Sequence, residues 1–242
     1  MSRNIFICIF VLALASTSFA ADKLIGTWPD HNDGFRDWGK QSVFIDDPTM
    51  NNKYTYVTTG KTNGTKALKM NAGVGWQQNL SIKSYESPYQ GNPNQIIQGF
   101  LDNKWLAIDV TYVTADWVKT GSNWATIELN VQGTGLSWTG LGRPKMDTGN
   151  PGYPGGWDAD NFGAINHRTM YWDISIFHDG NFDNKECTAT PTSGYFNMIF
   201  TTNCGGFSSG GVYYFDKMRF TPEPATMALL GLGGLALIRR KR

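Results

Sequence analysis

Three segments of the chain carry aromatic, amide and carboxylate side chains at every second position. Residues 104–114, 124–132 and 170–178 alternate apolar and polar side chains with the period of two that is typical of strands with one buried face. On the polar side of such strands, aromatic rings stack on sugar rings while amides and carboxylates hydrogen-bond to hydroxyl groups. A solvated sheet face has the same pattern, so both interpretations stay open. With two residues from the segment 75–82, the candidate sugar-binding residues are Trp76, Gln78, Trp105, Asp109, Trp124, Glu128, Asn130, Gln132, Tyr171 and Asp173.

Carboxylates on neighbouring strands could instead serve catalysis. Glycoside hydrolysis needs two carboxyl groups about 5–10 Å apart across one cleft, and Glu128 with Asp109 or Asp173 would meet that need if their strands are neighbours. Residues 206–210 match the pattern Gly-x-Ser-x-Gly, but a predicted strand follows them, whereas a nucleophile elbow requires a helix there. The three histidines have no metal-ligand spacing. The sequence therefore contains no convincing catalytic motif.

Eight segments, each bounded by Gly, Pro, Asn or Asp, show the pattern of a β-strand. They are residues 54–59, 66–70, 75–82, 104–114, 124–132, 170–178, 194–202 and 212–220. No stretch of comparable length shows helical spacing, so the chain is predicted to be an all-β protein, an antiparallel β-sandwich of the jelly-roll type. Residues 133–168, with nine glycines and three prolines, are predicted to form a long connection that either binds a ligand or packs its aromatic residues onto the sandwich.

Residues 1–20 have the composition of a signal peptide. Arg3 provides a positive charge, residues 5–15 form an apolar core, and Ser18 and Ala20 are the small residues that a signal peptidase reads. The segment is predicted to form a signal helix that is cleaved after Ala20. The exported domain is then predicted to span residues 21–221.

Residues 222–242 have three parts in a fixed order. Pro222-Glu223-Pro224 cannot belong to a helix interior, because each proline lacks an N–H and favours extended geometry in the residue before it. Residues 225–238 are uncharged and apolar, and the last four residues are cationic, which is typical of retention on the cytoplasmic side of a membrane. The apolar stretch is shorter than the ~20 residues of a full span, so it predicts a short membrane helix.

These three parts together resemble the PEP-CTERM family of sorting signals, a tail that also carries the label ice-binding protein C-terminal domain. The resemblance implies that the precursor is held transiently in the inner membrane, and that an exosortase recognises the tail and cuts near Pro222-Glu223-Pro224. It also implies a final location at the cell surface or outside the cell. Signal peptidase and exosortase are therefore the expected processing partners.

Removal of both ends changes the charge and the cysteine count. Arg3 and the four C-terminal cations account for five of the 21 basic residues, and Glu223 for one of the 20 acidic residues. The domain then has 16 basic and 19 acidic residues and a net charge near −3. No basic stripe remains, so nucleic acid is not an expected partner. Cys187 and Cys204 form an even pair in an oxidising compartment, which predicts a disulfide between the loops that flank residues 194–202.

Four segments of the domain resemble the carbohydrate-binding jelly rolls of the galactose-binding-like superfamily. They are residues 28–30 (Trp-Pro-Asp), 34–38 (Gly-Phe-Arg-Asp-Trp), 62–70 (Thr-Asn-Gly-Thr-Lys-Ala-Leu-Lys-Met) and 212–220 (Val-Tyr-Tyr-Phe-Asp-Lys-Met-Arg-Phe). In that superfamily the first segment, the turn and the last strand meet and often hold a structural Ca²⁺. The resemblance therefore implies calcium ligands from the Asp30 carboxylate, the Lys66 carbonyl and the Asp216 carboxylate, which are the oxygen donors that Ca²⁺ prefers.

The preferred interpretation is an exported surface protein whose β-sandwich binds a polysaccharide, such as an exopolysaccharide. The alternatives are a structural surface or matrix protein without a small ligand, and a polysaccharide-degrading enzyme built on the same fold. The nine tryptophans all lie within residues 21–221 and favour a ligand-binding surface, although some of them must belong to the core.

Overall fold

The computed structural model describes residues 23–26, 35–37, 43–44, 53–61, 66–71, 76–85, 94–113, 124–142, 144–146, 157–158, 165–178, 186–203 and 211–221. The strands in these ranges are β1 (Lys23–Gly26), β2 (Phe35–Asp37), β3 (Val43–Phe44), β4 (Tyr54–Val57), β5 (Ala67–Asn71), β6 (Trp76–Lys83), β7 (Trp105–Val113), β8 (Trp124–Gly133), β9 (Leu136–Gly142), β10 (Lys145–Met146), β11 (Trp157–Asp158), β12 (Ile165–Asp173), β13 (Phe196–Asn203) and β14 (Val212–Thr221). The same ranges contain an α-helix, α1 (Gln95–Asp102), and a short 3₁₀ helix (Ser175–Phe177).

The described strands form two antiparallel sheets of seven strands each. The first sheet has the order β10-β12-β7-β14-β5-β4, and β1 also pairs with β14. The second sheet has the order β11-β8-β13-β6-β2-β3, and β9 also pairs with β8. This arrangement confirms the predicted all-β sandwich. The predicted signal helix and the predicted membrane helix (residues 225–238) lie outside the described residues, and no helix within those residues is long and apolar enough to cross a membrane.

Alternate side chains of the two sheets meet in a single apolar layer. From the second sheet, Ile127, Leu129 and Val131 of β8 are buried, as their spacing predicts. From the first sheet, Leu106 and Ile108 of β7 belong to the same buried cluster. Burial of a side chain of this size contributes about 1.5–3 kcal/mol to stability. The positions of the apolar residues therefore decide which face of each strand points inward.

Two predicted segments were wrong: a strand ends earlier than predicted, and a predicted long connection contains strands. The predicted strand 170–178 ends at Asp173, since the residues after it turn into the 3₁₀ helix. The predicted long connection 133–168 contains β9, β10, β11 and the beginning of β12. Thr134 and Gly135 form a two-residue turn between β8 and β9, and Gly135 has a φ of 79°, which glycine adopts without strain. The glycines of this segment therefore include tight-turn positions as well as loop positions.

Helix α1 has no counterpart among the sequence predictions. Asn94 begins it, because its Oδ1 atom accepts hydrogen bonds from two backbone N–H groups of the first turn, both at 3.1 Å. The Asn94 side chain also donates to the Ser84 carbonyl at 2.6 Å, which ties the helix to the end of β6. Phe100 stacks on Phe196 of β13, with ring centroids 4.0 Å apart. A helix of eight residues is marginal by itself, so these tertiary contacts stabilise it. The contacts cannot be predicted from the local sequence pattern.

Gly99 allows α1 to approach β14 closely, and this contact can be tested. A Cβ atom at position 99 would collide with the ring of Phe220. We expect Gly99→Ala to lower the free energy of unfolding by about 1–3 kcal/mol, because overpacking outweighs the ~1 kcal/mol that alanine adds to helix propensity. Urea denaturation measures the change. Gln95→Ala, at an exposed position of the same helix, is the matched control, and equal stability of wild type and Gly99→Ala would contradict the close packing.

Cys187 is buried and is a free cysteine in this structure. A Cβ atom at Gly133 would lie 2.6 Å from the Cys187 sulfur, and Gly133 pairs with Phe196 at the beginning of β13. Asn203, the residue before Cys204, ends the same strand, and eight strand residues separate its ends by roughly 23 Å. A disulfide needs Cα atoms within about 7 Å of each other. Cys187 lies near the beginning of β13, and Asn203 ends that strand, so the predicted Cys187–Cys204 disulfide is not formed here. Cys204 itself lies outside the described residues.

The Cys187 thiol is expected to be inert in the folded protein. Burial raises its pKa above the ordinary value, a backbone hydrogen bond from Ala189 lowers it, and the charge of Glu186 raises it further. Because the thiolate is the reactive form, iodoacetamide is expected to label Cys187 only after unfolding. Peptide mass spectrometry without reductant measures the labelling, and a peptide pair linked between Cys187 and Cys204 would show that the disulfide exists after all.

Candidate functional site

The candidate sugar-binding residues are divided between the two sheets. The first sheet carries Trp105, Asp109, Tyr171 and Asp173, and the second sheet carries Trp76, Gln78, Trp124, Glu128, Asn130 and Gln132. The outward side chains of a sandwich point away from each other across a core about 10 Å thick. The two groups therefore cannot line one groove. For Trp76, Gln78 and Trp124 the structure describes the backbone, and their side chains lie outside the described part.

On the first sheet, the carboxylate of Asp109 is buried and engaged inside the protein. Its Oδ1 atom accepts a hydrogen bond from Nη1 of Arg219 at 3.0 Å and another from the Thr169 hydroxyl at 2.9 Å. Removal of one partner from a buried ion pair costs about 3–5 kcal/mol. Asp109 therefore stabilises the sheet.

Asp173 has a structural contact as well. Its Oδ1 atom accepts hydrogen bonds from the backbone N–H of Ser175 at 3.1 Å and from the Ser175 hydroxyl at 2.7 Å, which fixes the turn that leads into the 3₁₀ helix. Glu128 lies in the other sheet, so the strand of Glu128 is not a neighbour of the strands that carry Asp109 and Asp173. The carboxylate pairs considered for glycoside hydrolysis are therefore not assembled.

On the second sheet, β6, β13 and β8 lie side by side, and their pairing sets residues of the three strands into rows. The rows are Lys83 with Asn197 and Gln132, Ser81 with Ile199 and Asn130, Gln78 with Thr201 and Glu128, and Trp76 with Asn203 and Thr126. Antiparallel partners share a face, so amide, hydroxyl and carboxylate groups from three strands lie on one surface. We call the residues of these four rows the recess.

Much of the recess is buried although its side chains point away from the core. Asn197 is 3% exposed and Lys83 is 8% exposed. Asn130 is also buried, and its Nδ2 atom donates to the Thr201 hydroxyl at 2.9 Å. Glu128 and Gln132 are half-buried. The rows extend roughly 20 Å along β8, so the recess is an elongated set of polar residues, several of them buried.

Aromatic rings border the recess at the Lys83 end. At the Lys83 end, Tyr85 is 44% exposed, and its ring centroid lies 6.2 Å from that of Tyr195 in an edge-to-face arrangement. The Lys83 ammonium lies 5.6 Å from the centroid of the Tyr85 ring. At the other end, the strand backbone places Trp76 beside Asn203.

Sequence reasoning missed Lys83, Tyr85, Asn197 and Tyr195. The pattern of residues 194–202 predicts a strand, and its alternating polar residues were the available signal for Asn197. The position of β13 between β6 and β8 was not readable, because a strand's own pattern does not specify its neighbours. The recess is therefore a product of strand order.

The calcium ligands implied by the resemblance are only partly described. Asp30 lies outside the described residues, and those residues contain no group of three or more His, Cys, Asp or Glu that could hold a metal. Asp216 is fully buried at a bulge of β14, where Lys217 has a φ of 44° and donates its backbone N–H to Asp216 Oδ1 at 2.7 Å. The left-handed φ of Lys217 is uncommon for a residue with a Cβ. The neighbourhood of Asp216 is therefore strained and held by tertiary contacts.

Comparison with known proteins gives one family match and several similar structures. Residues 220–242 match the PEP-CTERM protein-sorting motif. No curated protein matches the chain.

Three of the similar solved structures are carbohydrate-binding modules. One is CBM27-1 of Caldicellulosiruptor saccharolyticus in complex with mannohexaose, at 13% identity, 86% coverage of this chain, 100% coverage of that chain and a TM-score of 0.48. A second is CBM28, a non-crystalline cellulose specific carbohydrate-binding module, at 13% identity, 83% and 98% coverage and a TM-score of 0.46. A third is a family 30 carbohydrate-binding module, at 11% identity, 85% and 89% coverage and a TM-score of 0.40. Since the three TM-scores are below 0.5, the binding surfaces of these modules are not transferred to this chain.

The predicted C-terminal signal is confirmed by the family match. The match begins two residues before Pro222 and includes the whole of the predicted segment 222–242. The chain therefore carries a PEP-CTERM protein-sorting motif, which implies its export.

Proposed function

We propose that this chain is an exosortase-sorted surface or extracellular protein whose β-sandwich binds a polysaccharide in the recess. The observation that supports this proposal is the set of polar rows across β6, β13 and β8, in which several outward residues are buried, with Tyr85 and Tyr195 at the Lys83 end. Sugar-binding sites combine aromatic rings with a small number of well-placed polar groups. An ordinary solvated sheet face would leave its outward amides in water, whereas Asn130 and Asn197 are buried.

The length of the rows favours a polymer over a single sugar. They extend roughly 20 Å along β8, which is longer than one pyranose ring. Polar groups of different types lie along this length, with a carboxylate in the Glu128 row and amides in the Gln132 row. A chain of sugar units would meet several of these groups in succession.

Replacement of Gln132 tests the recess directly. Gln132→Ala is expected to weaken polysaccharide binding about 3- to 10-fold, because one hydrogen bond to a ligand contributes about 0.5–1.5 kcal/mol. A glycan array selects the ligand, and titration calorimetry with the full chain in detergent measures the affinity.

Tyr171→Ala is the matched control, because Tyr171 belongs to the first sheet. We expect this variant to bind as the wild type does. Loss of affinity in Tyr171→Ala with no change in Gln132→Ala would place the site on the first sheet. Absence of binding to any glycan would contradict the carbohydrate role and favour a structural surface or matrix protein.

The sorting part of the proposal is supported by the motif match, and substitution of Glu223 tests it. Glu223→Ala is expected to leave the precursor in the membrane fraction, because the tail loses the acidic group between its two prolines. Fractionation with mass spectrometry of the C-terminus measures processing. Thr226→Ala, within the apolar stretch, is the control. A wild-type chain that keeps its last 21 residues in the cell-surface fraction would contradict exosortase cleavage.

A structural Ca²⁺ near Asp216 is part of the proposal because the resemblance to the galactose-binding-like jelly rolls implies ligands from Asp30, Lys66 and Asp216. Asp216 is buried and pairs in register with the buried Asp109 on the adjacent strand. The end of the β5–β14 pairing brings the backbone of Lys66 towards Asp216. A hard cation with carboxylate and carbonyl ligands would fit this chemistry.

Chelation tests the calcium proposal. If calcium is present at about 100 times its Kd, its removal is expected to lower Tm by about 5–10 °C. Differential scanning calorimetry with EDTA, followed by back-titration with Ca²⁺ or Mg²⁺, measures the shift. Asp216→Asn is expected to abolish the response to EDTA. A wild-type midpoint that does not respond to EDTA would remove calcium from the proposal.

A further inference from the structure

We infer that β9 forms the open side of the recess, and that Trp138 stacks there on a neutral pyranose unit of the bound polysaccharide. The inference rests on the proposed carbohydrate binding. It adds the side from which the ligand enters, the class of sugar unit, and a residue that is not among the candidates from the sequence. Three observations support it: a β-bulge in β9, a gradient of exposure across the strands, and two amide oxygens that accept hydrogen bonds.

The β-bulge turns two adjacent residues of β9 outward. The pairing of β9 with β8 shifts in register between Val131 and Gly133. The single residue Gln132 is therefore opposed by two residues, Ser137 and Trp138. Both of them are exposed, whereas the residues directly before and after them are buried. The bulge therefore places Trp138 on the outward face, in the row to which Gln132 belongs.

Exposure in this row increases towards β9. Lys83 on β6 is 8% exposed and Asn197 on β13 is 3% exposed. Gln132 on β8 is half-buried, and Trp138 on β9 is 38% exposed. The inner strands leave little surface for a ligand to contact directly. A ligand would therefore approach the row from the β9 side, where Trp138 is the first large side chain that it meets.

Asn130 provides one amide oxygen beside Trp138. Asn130 pairs with Gly140 of β9, and a Cβ atom at position 140 would lie 3.2 Å from Asn130 Oδ1. Apart from its chain neighbours, that Cβ atom would contact no other side chain within 4 Å, so the glycine leaves the space beside this acceptor open. The Nδ2 atom of Asn130 already donates to Thr201. Asn130 therefore offers an acceptor to a ligand.

Asn197 provides the second amide oxygen, on the other side of Gln132. It is buried, and its Oδ1 atom has no hydrogen-bond donor within the described part of the protein. Buried acceptors without a donor are costly, and native proteins contain few of them. A ligand hydroxyl that enters beside Gln132 would supply the donor.

These groups together favour a neutral sugar unit. The indole ring of Trp138 is a flat apolar surface that matches the C–H face of a pyranose. The amide oxygens of Asn130 and Asn197 need hydroxyl donors, which an ionised carboxylate or sulfate group cannot provide. β9 itself contains no charged residue, so this side of the recess offers no attraction for a charged unit.

The test uses substitutions of Trp138 and neutral hexaoses of glucose, mannose, galactose and xylose. Titration calorimetry with the full chain in detergent measures the affinity, and Tm shows that each variant is folded. We expect at least one hexaose to bind, and Trp138→Ala to weaken its binding roughly 10- to 100-fold, because the stacked ring and its buried area are lost.

Two further variants separate stacking from simple apolar contact. Trp138→Tyr keeps an aromatic face and is expected to bind within about 5-fold of the wild type. Trp138→Leu keeps an apolar side chain without a flat face and is expected to bind as weakly as Trp138→Ala. Equal affinities of the leucine and tyrosine variants would overturn the stacking role. Tyr171→Ala, on the first sheet, is the control and is expected to bind as the wild type does.

Asn197→Leu distinguishes a binding role from a structural one. Removal of an unsatisfied buried acceptor is expected to leave Tm unchanged or higher, while the affinity for the hexaose falls about 3- to 10-fold. A large drop in Tm would show that Asn197 stabilises the fold and would overturn its assignment to this site.

The outcomes separate this inference from the proposed function. Unchanged affinity in Trp138→Ala, together with weaker binding in Gln132→Ala, would overturn the site at β9 and leave polysaccharide binding in the recess intact. Tighter binding of uronic acid oligosaccharides than of the neutral hexaoses would overturn the neutral class of ligand. Binding to no glycan would overturn both the inference and the proposed function.

Discussion

The two sheets of this protein share one layer of buried side chains, and this constraint decides what each strand can present to the outside. Because side chains alternate along a strand, a strand that buries Ile127, Leu129 and Val131 must turn Glu128 and Asn130 outward. The same rule acts on β7 in the other sheet, but there the outward residues point in the opposite direction. Polar patterns that look equivalent in the sequence therefore end on opposite surfaces.

The outward face of the first sheet is used mainly for its own stability. β14 pairs with β1, β5 and β7, and the bulge between Asp216 and Arg219 lies where β5 ends and β1 begins. The ion pair between Arg219 and Asp109 fixes this point of the sheet. The carboxylate of Asp109 looks available for a ligand in the sequence, but it is bound to Arg219 of β14. This contact forms because β1, β5 and β7 all pair with β14.

The second sheet places its polar groups differently. β13 lies between β6 and β8, and its outward residues connect rows of side chains that neither neighbour could form alone. Asn130 is satisfied by Thr201 across the strands, whereas Oδ1 of Asn197 finds no donor in the described part of the protein. Native proteins leave few buried polar groups unpaired, so Asn197 is an exception on this face.

The sequence alone determined the longer strands and their inward faces, because alternation is local and burial of apolar side chains is strong. It also determined the C-terminal sorting motif, whose parts are contiguous in the chain. It gave no prediction of α1, since Phe100 depends on stacking against Phe196, almost a hundred residues away. The neighbours of each strand were decided only by the tertiary structure, because sheet pairing depends on how all strands fit together at once. That pairing separated Asp109 from Glu128, brought Asn197 to Lys83 and kept Cys187 away from the far end of β13.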